Sequence, residues 1–414
     1  MAKLEFTLKQ HTPIIHFLPG QPGATLRATE LKPKLDKFLI RHAFNNDFER
    51  YKTHLVGWRD VKRESDFDGK KAFDYKVKVG AVRSEKFAIN AFPLFFGNMG
   101  QEQENYKEFV FSHKPFSIEF FSFNTGLLDL IQTHFPAFLF KTNFGTRQSK
   151  GFGAFYLSET DPAYTLFSSK FHFTIELPQD QGRPDTQRTY QDFKKIFTVI
   201  DVIYKSLRSG INDIGSHGPR FYFKPMMFVC AKQYGIQWDK RTIKKHYFSR
   251  ELSSQIRSHG SSDILSYSSD DALMKEVLGL SSSETWKFPY NATITKENIN
   301  YEKDQKIERF KSPITFKIIR QNHSGIYDVF ILTDPINKKF LGKEFAVKKN
   351  GTGTLSMFTP DGFNIDGFLN FAFTKVDLDK HVKDKTHRDR WQFKAIKRIY
   401  GEIRQNLKAQ KNHD

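Results

Sequence analysis

Cysteine is nearly absent from this chain of 414 residues, which contains only Cys230. A single thiol can form neither an intrachain disulfide nor a zinc site built from several thiolates. Histidine offers no replacement, because neither His11 with His16 nor His381 with His387 has the i, i+4 spacing of a helical metal-binding pair. The sequence therefore predicts a protein without a bound metal or other cofactor.

Long apolar runs are missing as well. No stretch of about 18 apolar residues, the length that crosses a membrane, occurs in the sequence. The N-terminus has no signal-peptide pattern, since its charged residues lead directly into an alternating strand pattern. We therefore expect a soluble, cytoplasmic protein without a membrane partner.

Familiar catalytic motifs are also lacking. No segment has the spacing of G-x-G-x-x-G, of a P-loop, of a nucleophile elbow or of the protein-kinase motifs. These absences argue against a dinucleotide-dependent enzyme, an NTPase, an α/β-hydrolase and a kinase.

Acidic residues are too few to balance the basic ones. The chain has 65 Lys and Arg against 46 Asp and Glu, which gives a formal net charge of +19. Such an excess favours a polyanionic partner, with nucleic acid as the leading candidate. The 44 phenylalanines supply flat rings that suit either core packing or base stacking.

One segment combines basic residues with glycines. Residues 141–156, called the glycine loop below, contain no acidic residue. Gly151 and Gly153 permit positive φ and the close approach of another backbone. The polar side chains that suit phosphate oxygens are Lys141, Arg147, Gln148, Ser149 and Lys150. The pattern predicts contact with phosphate, while an ordinary turn between a helix and an edge strand is the alternative.

The length predicts two domains, because one domain usually has roughly 100 to 200 residues. Residues 1–160 follow the order β-α-β-β…β-α-loop-β, which predicts an α+β domain of the ferredoxin-like type with an inserted hairpin. The expected elements are strands near residues 4–8, 75–81, 87–92, 116–123 and 152–157, a helix capped by Thr29 that ends near Phe44, and a helix after Asn124 or Thr125 that ends before Pro136.

Residues 161–414 begin in the same way and predict a second ferredoxin-like domain. Its expected elements are a helix over 190–207, a strand over 221–230, a helix within 362–373 and a basic C-terminal helix over 388–410. The Ser-rich insertion over 253–285 is either mobile or a helical excursion around Ala272 to Leu278. A second glycine-rich turn with Gly215, Gly218 and Arg220 is either a loose counterpart of the glycine loop or a plain connection.

Four segments together resemble the RAMP (repeat-associated mysterious protein) superfamily of CRISPR-associated RNA-binding subunits. They are Thr12-Pro13, the stretch from Leu26-Arg27 to Leu35, residues 144–153 and residues 309–314. The layout is most similar to the large tandem-RAMP subunit of type III-B (Cmr) effector complexes. Pro33, where the family often has glycine, and Gln148, at a position often basic, depart from the pattern.

The resemblance implies a non-catalytic subunit that grips guide RNA, or its duplex with target RNA, beside other CRISPR-associated subunits in antiviral defence. Such contacts hold the RNA backbone without reading its sequence. The candidate RNA-binding residues, including Lys141 and Gln148 from the loop pattern, are Arg27, Lys32, Lys34, Lys141, Arg147, Gln148, Ser149, Lys150, Gly151 and Gly153.

Two other functions stay open. A metal-independent endoribonuclease of the same superfamily would cleave CRISPR repeats with His42 or His16 as the base that deprotonates a ribose hydroxyl. Against this, His42 falls on the apolar stripe of the first predicted helix and is expected to be a core residue. A basic scaffold protein without a specific RNA role is the third possibility.

Overall fold

A computed structural model of the chain describes residues 1–15, 26–60, 63–67, 71–81, 84–88, 108–177, 185–213, 221–236, 238–248, 272–286, 291–302, 306–321 and 325–411. His16 and the turn with Gly215, Gly218 and Arg220 lie outside these residues. The described elements mix helices with antiparallel sheets, which confirms the predicted α+β class.

The strands are β1 Ala2–Gln10, β2 Lys76–Val79, β3 Glu85–Ala88, β4 Glu108–Phe111, β5 Phe116–Ser122, β6 Phe155–Leu157, β7 His172–Glu176, β8 Ile211–Asp213, β9 Phe221–Phe223, β10 Ser283–Trp286, β11 Ala292–Asn298, β12 Ile314–Arg320, β13 Ile326–Thr333, β14 Glu344–Lys349 and β15 Thr352–Phe358. The α-helices are α1 Ala28–His42, α2 Phe48–Tyr51, α3 Thr125–Lys141, α4 Asp185–Arg208, α5 Met226–Gln233, α6 Asp239–Tyr247, α7 Ile365–Thr374, α8 Leu378–His381, α9 Lys385–Arg388 and α10 Trp391–Lys411.

The described residues group into two compact units. The first contains those of 1–93, 102–197 and 316–332, and the second those of 198–315 and 333–411. The units are thus interleaved along the sequence, and α4 and β12 each contribute residues to both. The domains 1–160 and 161–414 and their ferredoxin-like type stay predictions.

The first unit is built on an antiparallel sheet with the order β2-β5-β1-β6. The strands that α1 connects, β1 and β2, lie on either side of β5. Those that α3 connects, β5 and β6, lie on either side of β1. β3 pairs with β4 in an antiparallel manner, and a second sheet of this unit has the order β12-β13-β7.

One face of the first sheet is covered by α1 and α3. Alternation along β1 buries Phe6 and Leu8, while α3 contributes Phe135. The ring of Phe135 lies 4.7 Å from that of Phe6 and 5.1 Å from that of Phe120. These aromatic contacts join helix and sheet in one core.

The start of α1 and the end of α3 differ from the predictions, whereas the start of α3 agrees with them. α1 starts at Ala28 after Arg27, without a side-chain cap, so the predicted cap at Thr29 is wrong. Asn124 caps α3 as predicted, accepting a hydrogen bond from the Leu127 N–H at 3.1 Å. The predicted end before Pro136 is wrong, because α3 continues to Lys141 and buries the apolar side chains that follow the proline.

The second unit contains the antiparallel sheet β10-β11-β14-β15 and the helices α5 to α10. The predicted helices over 190–207, 362–373 and 388–410 correspond to α4, α7 and α10. The strand predicted over 221–230 is wrong beyond Phe223, since Met226 begins α5 directly after Pro225. Short apolar runs satisfy a buried strand and a buried helix equally well.

A buried ion cluster connects this second sheet to the 3₁₀ helix Met274–Leu278. Glu276 is fully buried, and its carboxylate accepts hydrogen bonds from Lys296 Nζ at 3.0 Å and Arg208 Nη2 at 3.2 Å. Glu284 also accepts from Lys296, at 2.7 Å, and forms an ion pair with Lys275. The Ser-rich insertion therefore ends in a tightly packed segment, because residues 272–278 are buried and contain the 3₁₀ helix Met274–Leu278, where the helical alternative placed a helix.

In the part of the chain that the structure describes, no helix is both long enough and apolar enough to span a membrane.

Candidate nucleic-acid interface

The glycine loop connects α3 to β6 in the first unit, as predicted. It contains a single 3₁₀ turn, Gln148–Lys150, and closes on itself where the Phe144 N–H donates to the Gly153 carbonyl at 2.9 Å. Gly153 N–H in turn donates to the Pro13 carbonyl at 2.8 Å. The loop is therefore held in one shape by backbone hydrogen bonds.

The glycines are needed for this closure. Gly153 has φ +67°, and a Cβ there would lie 1.9 Å from the Phe144 carbonyl oxygen. Gly151 has φ +91°, and its Cβ would lie 2.5 Å from Ile318 Cδ1. Both glycines are buried against protein, so their packing explains them without a ligand, and their predicted RNA contact stays a prediction.

A buried lysine supports the loop from behind. Lys317 on β12 donates to the carbonyls of Thr142 at 3.0 Å and Phe155 at 2.8 Å. Burial holds the pKa of the Lys317 ammonium well below its usual range. This role could not be predicted from the sequence, because Lys317 follows the loop by more than 160 residues and is one polar residue in an apolar strand.

Arg147 has an unusual backbone. Its φ is +58°, in the left-handed region. Every other non-glycine residue with positive φ in the described ranges is an asparagine, which tolerates that region far better than arginine does. Arg147 is half-buried, and burial lowers the pKa of its guanidinium to about 10, so the group stays charged at neutral pH.

The other polar residues of the loop differ in exposure. Lys141 is exposed at the end of α3, and Ser149 is half-buried in the 3₁₀ turn. Lys150 is only 6% exposed, so the protein encloses most of this predicted phosphate ligand.

Of the basic patch predicted on α1, Arg27 is half-buried just before the helix. Lys32 points away from the loop: it donates to Asp36 at 2.9 Å and to the Phe73 carbonyl at 2.8 Å, with Nζ 4.0 Å from the centre of the Tyr75 ring. These contacts connect α1 to the segment before β2, and they give Lys32 a structural role.

Lys34 does meet the glycine loop. Its Nζ donates to Glu30 Oε1 at 2.7 Å and to the Asn143 carbonyl at 3.0 Å, and lies 4.9 Å from the centre of the Phe144 ring. The same Glu30 oxygen accepts from the loop, and Glu30 was not among the predicted site residues.

His42 does not occupy its expected place in the core, whereas His11 is buried. His42 is exposed, so its predicted core position is wrong: the buried stripe of α1 ends at Leu39, and Phe44 beyond the helix fills the next apolar position. The His42 ring packs 4.3 Å from that of Phe38. His11 is buried instead, and its Nδ1 accepts from the Arg320 backbone N–H at 3.0 Å. Burial and the nearby cations hold the pKa of His11 well below its usual range.

Within the described residues, the face of the first sheet opposite α1 and α3 is poorly suited to stacking bases. It carries ion pairs of Glu119 with Lys3, at 2.6 Å, and with Lys78, at 3.3 Å. Phe121 is the aromatic residue that β5 presents between these charges, and it is half-buried. Among the described residues, no group of three or more His, Cys, Asp or Glu side chains is placed to hold a metal ion.

Comparison with known proteins identifies the family. Residues 1–211 match the family described as the Cmr1 N-terminal domain, and residues 222–407 match the Cmr1 C-terminal domain. A search of curated proteins finds no match to this chain. Among solved structures, the apo form of Cmr1 from Pyrococcus furiosus is similar at 12% sequence identity and a TM-score of 0.34, over 81% of this chain and 90% of that chain.

The two family matches together span most of the sequence and agree with the RAMP-type, Cmr-like motifs at its loop and first helix. The chain belongs to the Cmr1 family.

Proposed function

We propose that this protein is a non-catalytic, RNA-binding subunit of a type III Cmr effector complex that acts in the cytoplasm in antiviral defence. Membership of the Cmr1 family supports a Cmr effector role with other CRISPR-associated subunits as partners. The net charge of +19 supports a polyanionic partner, and guide RNA or its duplex with target RNA is the one that this role requires.

The backbone of Arg147 is the observation that carries the proposal. A non-glycine residue in the left-handed region costs about 1 to 2 kcal/mol, and three glycines of the same loop already adopt positive φ. Retaining arginine there makes sense if its guanidinium is needed for another purpose. Bidentate binding of a phosphate is the task for which arginine is best suited.

The proposed contact surface is the rim of the glycine loop. Lys141, Arg147 and Ser149 would bind phosphate oxygens there, and Arg27 would extend the charge towards α1. Lys150 and Lys32 contribute positive potential while most of each side chain packs against protein. Gly151 and Gly153 shape the loop that presents these groups.

Arg147→Gly tests this role directly. Glycine adopts the same backbone without strain, so we expect the free energy of unfolding to change by no more than about 1 kcal/mol. Loss of the guanidinium should weaken binding of a fluorescently labelled oligouridine by roughly tenfold, the effect of losing one charged hydrogen bond. Fluorescence anisotropy at constant salt measures the affinity.

Asn45→Gly is the matched control, because Asn45 also has positive φ, +54°, but is uncharged. It should leave RNA affinity unchanged. If Arg147→Gly binds RNA as tightly as the unaltered protein, the loop is not the contact and the strained arginine needs another explanation.

The exposure of His42 keeps the endoribonuclease alternative in view, because a catalytic base must reach the RNA. That reading expects specific cuts in CRISPR repeat RNA in the presence of EDTA, lost in His42→Ala. RNA that stays intact after incubation at protein concentrations that bind it fully would support the non-catalytic role.

A further inference from the structure

Three hydrogen-bond donors converge on one oxygen beside the glycine loop. Glu30 Oε1 accepts from the Gly145 backbone N–H at 2.8 Å, from Lys34 Nζ at 2.7 Å and, at the longer distance of 3.4 Å, from Gln148 Nε2. Two of the donors belong to the loop, and the third belongs to α1. The Glu30 side chain is 25% exposed, so solvent reaches this position.

This donor set is the kind that binds phosphate. A backbone N–H in a glycine-containing turn, an ammonium and a side-chain amide all donate, and all suit an anionic oxygen. A carboxylate oxygen carries the same sign of charge and accepts the same bonds as a phosphate oxygen. A phosphodiester oxygen can therefore accept the same hydrogen bonds at the position that the Glu30 carboxylate oxygen occupies.

The donors are held in place independently of Glu30. Lys34 keeps its hydrogen bond to the Asn143 carbonyl at 3.0 Å and its position beside the Phe144 ring. The backbone of Phe144 and Thr146, on either side of Gly145, is fixed by hydrogen bonds to the carbonyls of Gly153 and Ile15. The site would thus keep its shape if the carboxylate left.

We propose that Gly145 N–H, Lys34 and Gln148 form a phosphate site that the Glu30 carboxylate occupies in the absence of RNA and vacates when a backbone phosphate binds. The inference rests on the proposed RNA-binding function and assigns Glu30 as an internal competitor within it. Each binding event exchanges one anion for another. The apparent association constant therefore equals the intrinsic one multiplied by the fraction of molecules in which Glu30 has left the site.

A purely structural role of Glu30 and a role as competitor predict opposite changes in RNA affinity when Glu30 is mutated. If the carboxylate only fixes the loop to α1, its removal loosens the loop and weakens RNA binding. If it competes with phosphate, its neutralisation strengthens RNA binding. The sign of the change therefore separates the two roles.

Glu30→Gln keeps the length and an acceptor oxygen while it removes the charge. We expect this variant of the full chain to bind labelled oligouridine roughly 5 to 30 times more tightly than the unaltered protein, as expected when a charged hydrogen-bond competitor is weakened. The gain should disappear when Lys34→Gln is present in both proteins of the comparison, because Lys34 is the charge for which the two anions compete.

Glu49→Gln is the control for net charge, since Glu49 is an exposed acid of α2 that pairs with Lys52. It should change the affinity much less. An equal gain from Glu49→Gln, a gain that survives without Lys34, or an unchanged or weaker affinity of folded Glu30→Gln would each overturn the proposal.

A measurement on the unaltered chain covers the case in which the variant does not fold. In protein labelled with ¹⁵N-glycine, the Gly145 amide signal should shift as oligouridine is added, because its acceptor changes. A Gly145 signal that stays fixed at RNA saturation refutes the anion exchange. Absence of RNA binding by the unaltered protein and by every variant would instead refute the proposed function itself.

Discussion

Gly153 shows how little space the glycine loop leaves for a side chain. Its positive φ and the nearby Phe144 carbonyl oxygen act together, since the first disfavours any L-residue and the second excludes a Cβ. The loop can present Arg147 and Ser149 in fixed positions because its base is closed so tightly. Rigidity of this kind would reduce the entropy lost in the RNA binding proposed above.

Gly153→Ala should destabilise the protein by about 3 kcal/mol, because both the strained backbone and the overlap must be relieved. Urea unfolding measures this change. Gly57→Ala is the control, with a similar φ of +73° and no atom within 4 Å of the added Cβ. It should cost only about 1 kcal/mol. Equal losses in the two variants would contradict the role assigned to the Phe144 carbonyl.

At the residue scale, the sequence revealed the chemistry of the loop more readily than its partners. The run from Arg147 to Lys150 is visible as a basic stretch without acids. Glu30 is not visible as its neighbour, because 115 positions separate it from Gly145 and no local pattern indicates which helix faces the loop. The burial of Lys150 was not visible for a related reason: the exposure of a side chain depends on the fold around it.

At the scale of elements, the ion cluster holds the short 3₁₀ segment at Met274–Leu278 in the second unit. Glu276 joins that segment to β11 through Lys296 and to α4 through Arg208. Glu276 is one of the two carboxylates that offset the three cations of the cluster, so its removal leaves buried positive charges without compensation.

Glu276→Ala should therefore lower the free energy of unfolding by about 3 kcal/mol. Thermal and urea denaturation measure it. Glu308→Ala provides the comparison, because Glu308 is 74% exposed and pairs with Lys306 only at 3.6 Å. A surface pair of that kind contributes at most about 1 kcal/mol. If the two variants are equally stable, the cluster does not secure the segment.

Long periodic helices were the elements easiest to predict. The apolar stripes of α4 and α10 repeat along helices of 24 and 21 residues, and both helices appear where expected. α5 was mistaken for a strand because Met226, Met227, Cys230 and Ala231 are buried in a run too short to show its period. α3 passes Pro136 because tertiary packing outweighs one lost hydrogen bond.

For the whole molecule, the charge of +19 predicts that the proposed RNA binding depends on ionic strength. We expect the logarithm of the association constant for single-stranded oligouridine to fall linearly with the logarithm of the salt concentration, by about 0.7 for each phosphate contacted. Titrations at several salt concentrations give the slope. An oligomer with uncharged methylphosphonate linkages is the control and should bind weakly at every salt concentration. An affinity that is independent of salt would contradict backbone recognition.

The α+β class could be predicted from the order of elements, whereas the interleaving of the two units could not. Nothing in the pattern of β12 or β13 shows that residues 316–332 pack with the beginning of the chain. Long-range contacts make that association evident, among them the hydrogen bonds of Lys317 with Thr142 and Phe155 and that of the Arg320 N–H with His11.

That association has a consequence for biosynthesis. When Phe197 has just been translated, the larger part of the first unit has been made, but β12 and β13 are still to be translated. At ordinary elongation rates the wait is on the order of ten seconds. During that interval the nascent chain exposes the carbonyls and the apolar surface that β12 later covers. The newly made protein is therefore expected to need a chaperone, or an early partner subunit, at this stage of its synthesis.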